Sequence, residues 1–136
     1  MRNSIKPEEL EKAIKDYLED YVEDIEKDVE ETTDSLTKEA VDELKRTSPK
    51  GHGLRKNPYH KGWTRQANKK IKGKYTIKIH NKTNYQLTHL LEFGHVTRNG
   101  GRTKAIPHIR PIEEKYNQLY EEKITTVIRR RSKKWH

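Results

Sequence analysis

The sequence predicts an α+β domain in which a long N-terminal helix and a C-terminal helix pack on a small, mainly antiparallel β-sheet. Three observations carry this. Apolar residues recur at Leu10, Ile14, Leu18, Tyr21, Ile25, Val29, Leu36, Ala40 and Leu44, at spacings of three, four and seven that keep one helical stripe apolar. Tyr75, Ile77 and Ile79 alternate with Lys74, Thr76, Lys78 and His80, the period of a strand with one covered face. Ile112, Tyr116, Leu119, Tyr120, Ile124, Val127 and Ile128 then return to helical spacing. At 136 residues the chain has room for a single domain, divided into a long acidic helix (1–47), a basic loop (48–62), a sheet with a short helix and a flexible hairpin loop (63–106), a C-terminal helix (107–128) and a basic tail (129–136).

The first helix has Pro7 placed for an opening turn, with Glu8 and Glu9 at the positive end of the helix dipole. Continuous to residue 44, it is long for so small a domain, so its first half is expected to project or to pack on another subunit. Thr32-Thr33-Asp34-Ser35 is poor in helix propensity and good at capping, and predicts a kink or restart. Ser48-Pro49 ends the helix, because proline disfavours helical geometry in the residue before it. Gly51-His52-Gly53 lies in an exposed loop without the strand, helix and Gly-Lys-Ser/Thr ending of a nucleotide-binding loop. Trp63–Asn68 and Lys74–Asn81 form a hairpin whose turn is Lys69–Gly73.

Leu87, Leu90 and Leu91 sit at helical spacing in a short helix over Tyr85–Phe93 that Gly94 terminates. Glu92, flanked by Leu91 and Phe93, needs a hydrogen-bonded or cationic partner if it is buried, and Arg102 and Arg110 are the candidates. The alternative, a general acid or base, has no second carboxylate or nucleophile nearby in sequence. Glu92, Phe93, Gly94, His95, Arg102 and Arg110 are therefore read as a structural junction, with no catalytic or cofactor-binding residue assigned. His89 and His95 are six apart, which misses the i, i+4 arrangement of helical zinc ligands, and no metal site is assigned. Asn99-Gly100 is the preferred dipeptide of a two-residue turn.

Charge is distributed unevenly. Residues 1–47 carry 8 Lys or Arg against 16 Asp or Glu, a balance of −8, and residues 48–136 carry 22 against 5, a balance of +17, which together give the net +9. Either an acidic face meets a basic face between subunits, or a basic surface faces a polyanion. The candidate DNA-facing residues are Lys69, Lys70, Lys72, Lys74, Lys78, Arg98, Arg102 and Lys104. Contact with double-stranded DNA would be independent of sequence, since neither a recognition-helix motif nor repeated aromatics is present. With 29% hydrophobic residues the core must be thin, which favours burial by assembly. No cysteine is present, which excludes disulfides and thiolate ligands. No apolar run is long enough to span a bilayer or act as a cleaved signal, so no membrane association is expected.

In order along the chain, Ser48-Pro49-Lys50-Gly51-His52-Gly53-Leu54-Arg55, Tyr59-His60-Lys61-Gly62-Trp63, Tyr85-Gln86-Leu87-Thr88-His89-Leu90-Leu91-Glu92-Phe93-Gly94-His95, Gly100-Gly101-Arg102 and Pro107-His108-Ile109-Arg110-Pro111 resemble the head–tail joining proteins of long-tailed bacteriophages, the small neck and tail-completion type. The resemblance implies a non-enzymatic structural protein of the virion at the head–tail interface, made in the host cytoplasm. It also implies a homo-oligomeric ring around the DNA channel, with head-completion and tail proteins as neighbours. The alternatives are a basic DNA-binding protein outside the virion and a metal-dependent nuclease using Glu92 and the histidines.

Overall fold

The computed structural model describes the backbone of residues 6–50, 57–71 and 74–134, and the side chains of all of these except 69–71, 74 and 134. Residues 51–56 of the expected basic loop, Lys72 and Gly73 of the hairpin tip, the side chains of Lys69, Lys70 and Lys74, and Trp135-His136 of the expected tail lie outside it. The fold is α+β: helix α1 (Pro7–Thr47), a single 3-10 turn (Tyr59–Lys61), strands β1 (Trp63–Ile71) and β2 (Lys74–Asn81), helix α2 (Tyr85–Phe93) and helix α3 (Ile109–Lys134).

The 41 residues of α1 run without a break, about 60 Å at 1.5 Å per residue. Pro7 occupies the first turn with Glu8 and Glu9, Lys45 and Arg46 stand in the last, and the Ser48 N–H closes the helix on the Leu44 carbonyl. No break interrupts the helix at residues 32–35, where the sequence predicts a kink or restart. Thr33 Oγ1 donates to the Val29 carbonyl at 2.7 Å and Thr37 Oγ1 to the Thr33 carbonyl at 2.8 Å, so these hydroxyls are satisfied within the helix and do not compete with it.

α3 lies antiparallel along α1. Near its start, Lys115 Nζ donates to both oxygens of Glu43 at 2.9 Å and Tyr116 OH to Glu43 Oε2 at 2.7 Å. Near its end, Arg131 forks onto Asp28 through Nε at 2.6 Å and Nη2 at 3.0 Å, and Tyr21 OH pairs with Ser132 Oγ at 3.0 Å. These last contacts explain why the run beginning at Arg129, expected to be a free tail, is helical through Lys134: a bidentate guanidinium–carboxylate pair clamps the final turns onto α1.

The sheet is a two-stranded antiparallel hairpin with Trp63 opposite Asn81, Arg65 opposite Ile79 and Ala67 opposite Ile77. β1 runs to Ile71, which pairs with Lys74, so Lys69 and Lys70 belong to the strand and the turn is shorter than expected. Arg65 Nη1 donates to Asp34 Oδ1 at 2.6 Å and pins the sheet to α1. The core is thin, as the composition demands: Ala40, Val41, Leu44, Tyr59, Trp63 and Ile112 are buried together, with Ile79, Leu87, Leu91, Ile109 and Tyr116 packed around them. Beside it an apolar cleft of about 290 Å³ opens between α1, α3 and the sheet.

The clamp at the far end of α3 is separable from this core. Arg131→Ala is expected to raise amide exchange over the last turns of α3, residues 129–134, while the amides of Leu44 and Ile112 keep their protection. Hydrogen-exchange mass spectrometry measures both, and uniform loss of protection would contradict the separation.

Candidate functional site

The Tyr85–Arg110 stretch holds a buried junction centred on Glu92, which is only 7% exposed. α2 spans Tyr85–Phe93 as the sequence predicts, but only Leu87 and Leu91 face the core, and Leu90 points outward. Gly94 ends α2 with φ 73° and ψ 171°. A Cβ there would sit 2.6 Å from the Thr103 carbonyl oxygen, so the position requires glycine on both conformational and steric grounds.

The expected guanidinium partners of Glu92 are not the ones it has. Arg110 Nε donates to Glu114 at 3.0 Å, and Arg102 Nη2 reaches the Phe93 carbonyl at 3.4 Å. Glu92 instead accepts backbone N–H groups at the start of α3: His108 and Ile109 on Oε1 at 2.8 and 2.9 Å, and Arg110 on Oε2 at 3.1 Å. An α-helix leaves its first N–H groups without acceptors. Pro111 has none to satisfy, so one carboxylate from α2 serves as the cap of α3. The positive end of the helix dipole adds to the attraction.

His108, 4% exposed, extends the network. Its Nδ1 lies 2.7 Å from the Ile106 carbonyl and 3.1 Å from Glu92 Oε1, both acceptors, so Nδ1 carries the proton. Nε2 is then the acceptor for Tyr59 OH at 2.7 Å. Burial, and after it the nearby Glu92 charge, push the Tyr59 hydroxyl far above its ordinary pKa, which keeps it a donor. The Tyr59 ring meets Trp63 edge-on at 5.7 Å, and Trp63 Nε1 donates to Ser48 Oγ at 2.7 Å, at the C-terminus of α1. The ends of α1, β1, α2 and α3 thus meet in one connected polar and aromatic cluster. Tyr59, Ser48 and His108 as partners of the junction escaped the sequence reading. Tyr59 and His108 are 49 residues apart, and no local pattern links them.

The other expected site residues whose side chains are described lie outside this cluster, on the surface. His95 hydrogen-bonds Thr103 through Nδ1 at 3.1 Å, and the His89 and Phe93 rings lie 5.0 Å apart. Among the described residues no group of three or more histidines and carboxylates could hold a metal ion. Lys78, Arg98, Arg102 and Lys104 are exposed. Arg98 and Arg102 stand on a small hairpin in which Val96 bridges Arg102, Thr97 N–H donates to Gly101 at 2.7 Å and Gly100 N–H to Thr97 at 3.1 Å. Gly100, at φ 82°, closes a three-residue loop over Arg98–Gly100 in place of the expected two-residue turn at Asn99-Gly100. No helix among the described residues is long and apolar enough to cross a membrane.

Burial alone would raise the Glu92 pKa, but the three backbone donors overcome it and hold the carboxyl below its usual 4.5. A depressed folded pKa adds stability that is complete above the unfolded value and is lost as pH falls through the folded one. Acidification from pH 4.5 downward should therefore weaken the junction. Glu92→Gln is expected to cost roughly 2 kcal/mol or more at neutral pH and to flatten the acid limb of the stability curve. Urea denaturation followed by Trp fluorescence across pH tests both, and an unchanged acid limb would show that Glu92 does not cap α3 in solution.

The chain matches no curated protein and no solved structure. A family model described as "Bacteriophage HK97-gp10, putative tail-component" matches residues 12–94, from the first helix to the glycine that ends α2. That span is more than half of the chain, and the chain belongs to this HK97-gp10-like family of phage tail components.

Proposed function

We propose that the protein is a non-enzymatic structural component of the virion, of the head–tail connector, neck or tail-completion type, which oligomerises as a ring around the DNA channel at the head–tail interface. Its neighbours are head-completion and tail proteins, and it is made in the host cytoplasm before assembly. Family membership supports the tail setting. The observation that carries the finer reading is the disposition of charge: every residue from Lys6 to Asp20 is exposed on an acidic helix, while the basic hairpin residues Arg98, Arg102 and Lys104 are exposed elsewhere on the surface. Surfaces of opposite sign suit contacts between macromolecules. The Glu92 carboxylate, the one candidate for acid–base work, spends its acceptors on the start of α3.

Exposed Lys78, Arg98, Arg102 and Lys104 also support a second reading, sequence-independent binding of double-stranded DNA outside the virion. The two readings part in the particle. Mass spectrometry of purified virions is expected to find the protein, and a deletion phage is expected to yield filled heads and tails that do not join. Absence from particles together with strongly salt-dependent duplex binding would instead favour the second reading.

A further inference from the structure

The N-terminal part of α1 extends beyond the end of α3. Ser132 lies beside Tyr21, and the helix continues from there back to Pro7 with every residue of 6–20 exposed. Leu10, Ile14, Leu18 and Val22 recur every four residues along one side of this arm, each 48–52% exposed. Residues 7–22 carry six carboxylates (Glu8, Glu9, Glu11, Asp16, Glu19, Asp20) against Lys12 and Lys15, a balance of −4. This is a face with apolar anchors and an acidic surround.

At the other end of the molecule stands its counterpart. Tyr85 and Phe93 lie eight residues apart on one side of α2, 67% and 61% exposed, with Leu90, Val96 and Ile106 exposed around them. Residues 93–106 contain Arg98, Arg102 and Lys104 and no carboxylate, a balance of +3. α2 packs through Leu87 and Leu91 on the core that holds Leu44, and Ile14 is thirty residues from Leu44 on one unbroken helix, about 45 Å away. The arm of a chain therefore cannot reach its own basic face. Two arms, each at −4, repel one another.

We propose that the α1 arm of one copy docks on the α2–hairpin face of a second copy, with Leu10, Ile14 and Leu18 against Phe93, Val96 and Ile106 and the arm carboxylates among Arg98, Arg102 and Lys104. The contact is heterologous, head to tail, and repeats into a ring if its rotation closes or into a filament if it does not. The inference rests on the ring reading and supplies its interface.

The chain contains no cysteine, so introduced thiols report cleanly. Ile14→Cys and Val96→Cys variants, both at exposed positions, are mixed at high protein concentration with a short bis-maleimide. The expected product is the 14–96 dimer, roughly tenfold above either self-crosslinked species. Arg98→Glu, Arg102→Glu and Lys104→Glu in the Val96→Cys chain should abolish it, and Glu11→Lys, Asp16→Lys and Glu19→Lys in the Ile14→Cys chain should restore it. A dominant 14–14 product, no crosslink between copies, or indifference to charge reversal would each overturn the proposal. Particle mass spectrometry judges the virion role separately: protein present in virions without the 14–96 crosslink would remove this interface alone.

Discussion

A helix that begins inside a protein leaves backbone N–H groups that must find acceptors, and in this chain a single carboxylate, Glu92, takes them. Much else follows from that placement. α3 starts where the end of α2 holds it, so its first turns bring Ile112 into the core and Lys115 and Tyr116 onto Glu43 of α1. His108 is held in one tautomer between Ile106 and Tyr59, and through Tyr59 and Trp63 the same cluster reaches the C-terminus of α1. Gly94 turns the chain away from α2 so that the hairpin returns to Leu91 before α3 begins, with Ile106 N–H on the Leu91 carbonyl at 2.8 Å. A core this thin could not fix the directions of two long helices by packing alone. Directed hydrogen bonds to a charged acceptor do it instead.

Charge does a second job along the length of the helix pair. Arg131 with Asp28, Lys115 with Glu43 and Arg65 with Asp34 each join the acidic first helix to the basic remainder. Their carboxyls are held below the ordinary range, first of all by the hydrogen bonds from those cations. The polarisation seen in the sequence is thus partly consumed within the fold. Ion pairs near the surface contribute little individually. Their use here is registration: the Arg131 and Lys115 pairs set which turn of α3 faces which turn of α1, and the Arg65 pair sets the sheet against α1.

Periodicity made most of the elements readable. The apolar stripe of α1, the alternation in β2 and the spacing in α2 and α3 are local patterns, and burial imposes them locally. Glu92 could be picked out as a junction residue because a carboxylate between Leu91 and Phe93 is conspicuous. Its partners could not, because a backbone N–H has no signature in the sequence and the expectation went to the visible cations, Arg102 and Arg110. The same bias toward composition made Arg129–Lys134 look like a tail, although Arg131 is clamped onto a carboxylate 103 residues earlier. Thr33 stood in a cluster of poor helix propensity, but its hydroxyl finds the Val29 carbonyl four residues back, as the Thr37 hydroxyl finds that of Thr33. In each case the deciding contact was either backbone or far away along the chain.

The difference in length between the helices bears on what the fold is for. α1 has 41 residues and α3 has 26, so among the described residues a stretch of α1 has no helix beside it. An isolated segment of that length would be marginal as a helix, because nucleation is costly, but here it only has to propagate from a turn already packed against α3. The stretch can stay helical without contributing to the core. Its leucines and isoleucine, however, gain nothing from solvent, and an exposed apolar stripe carries an aggregation cost that a lone domain has no reason to bear. The stripe is bordered by carboxylates, which discourage pairing with an identical stripe and favour a basic surface. Length, helical continuity and sign together support the proposal that α1 docks on a surface well beyond its own core.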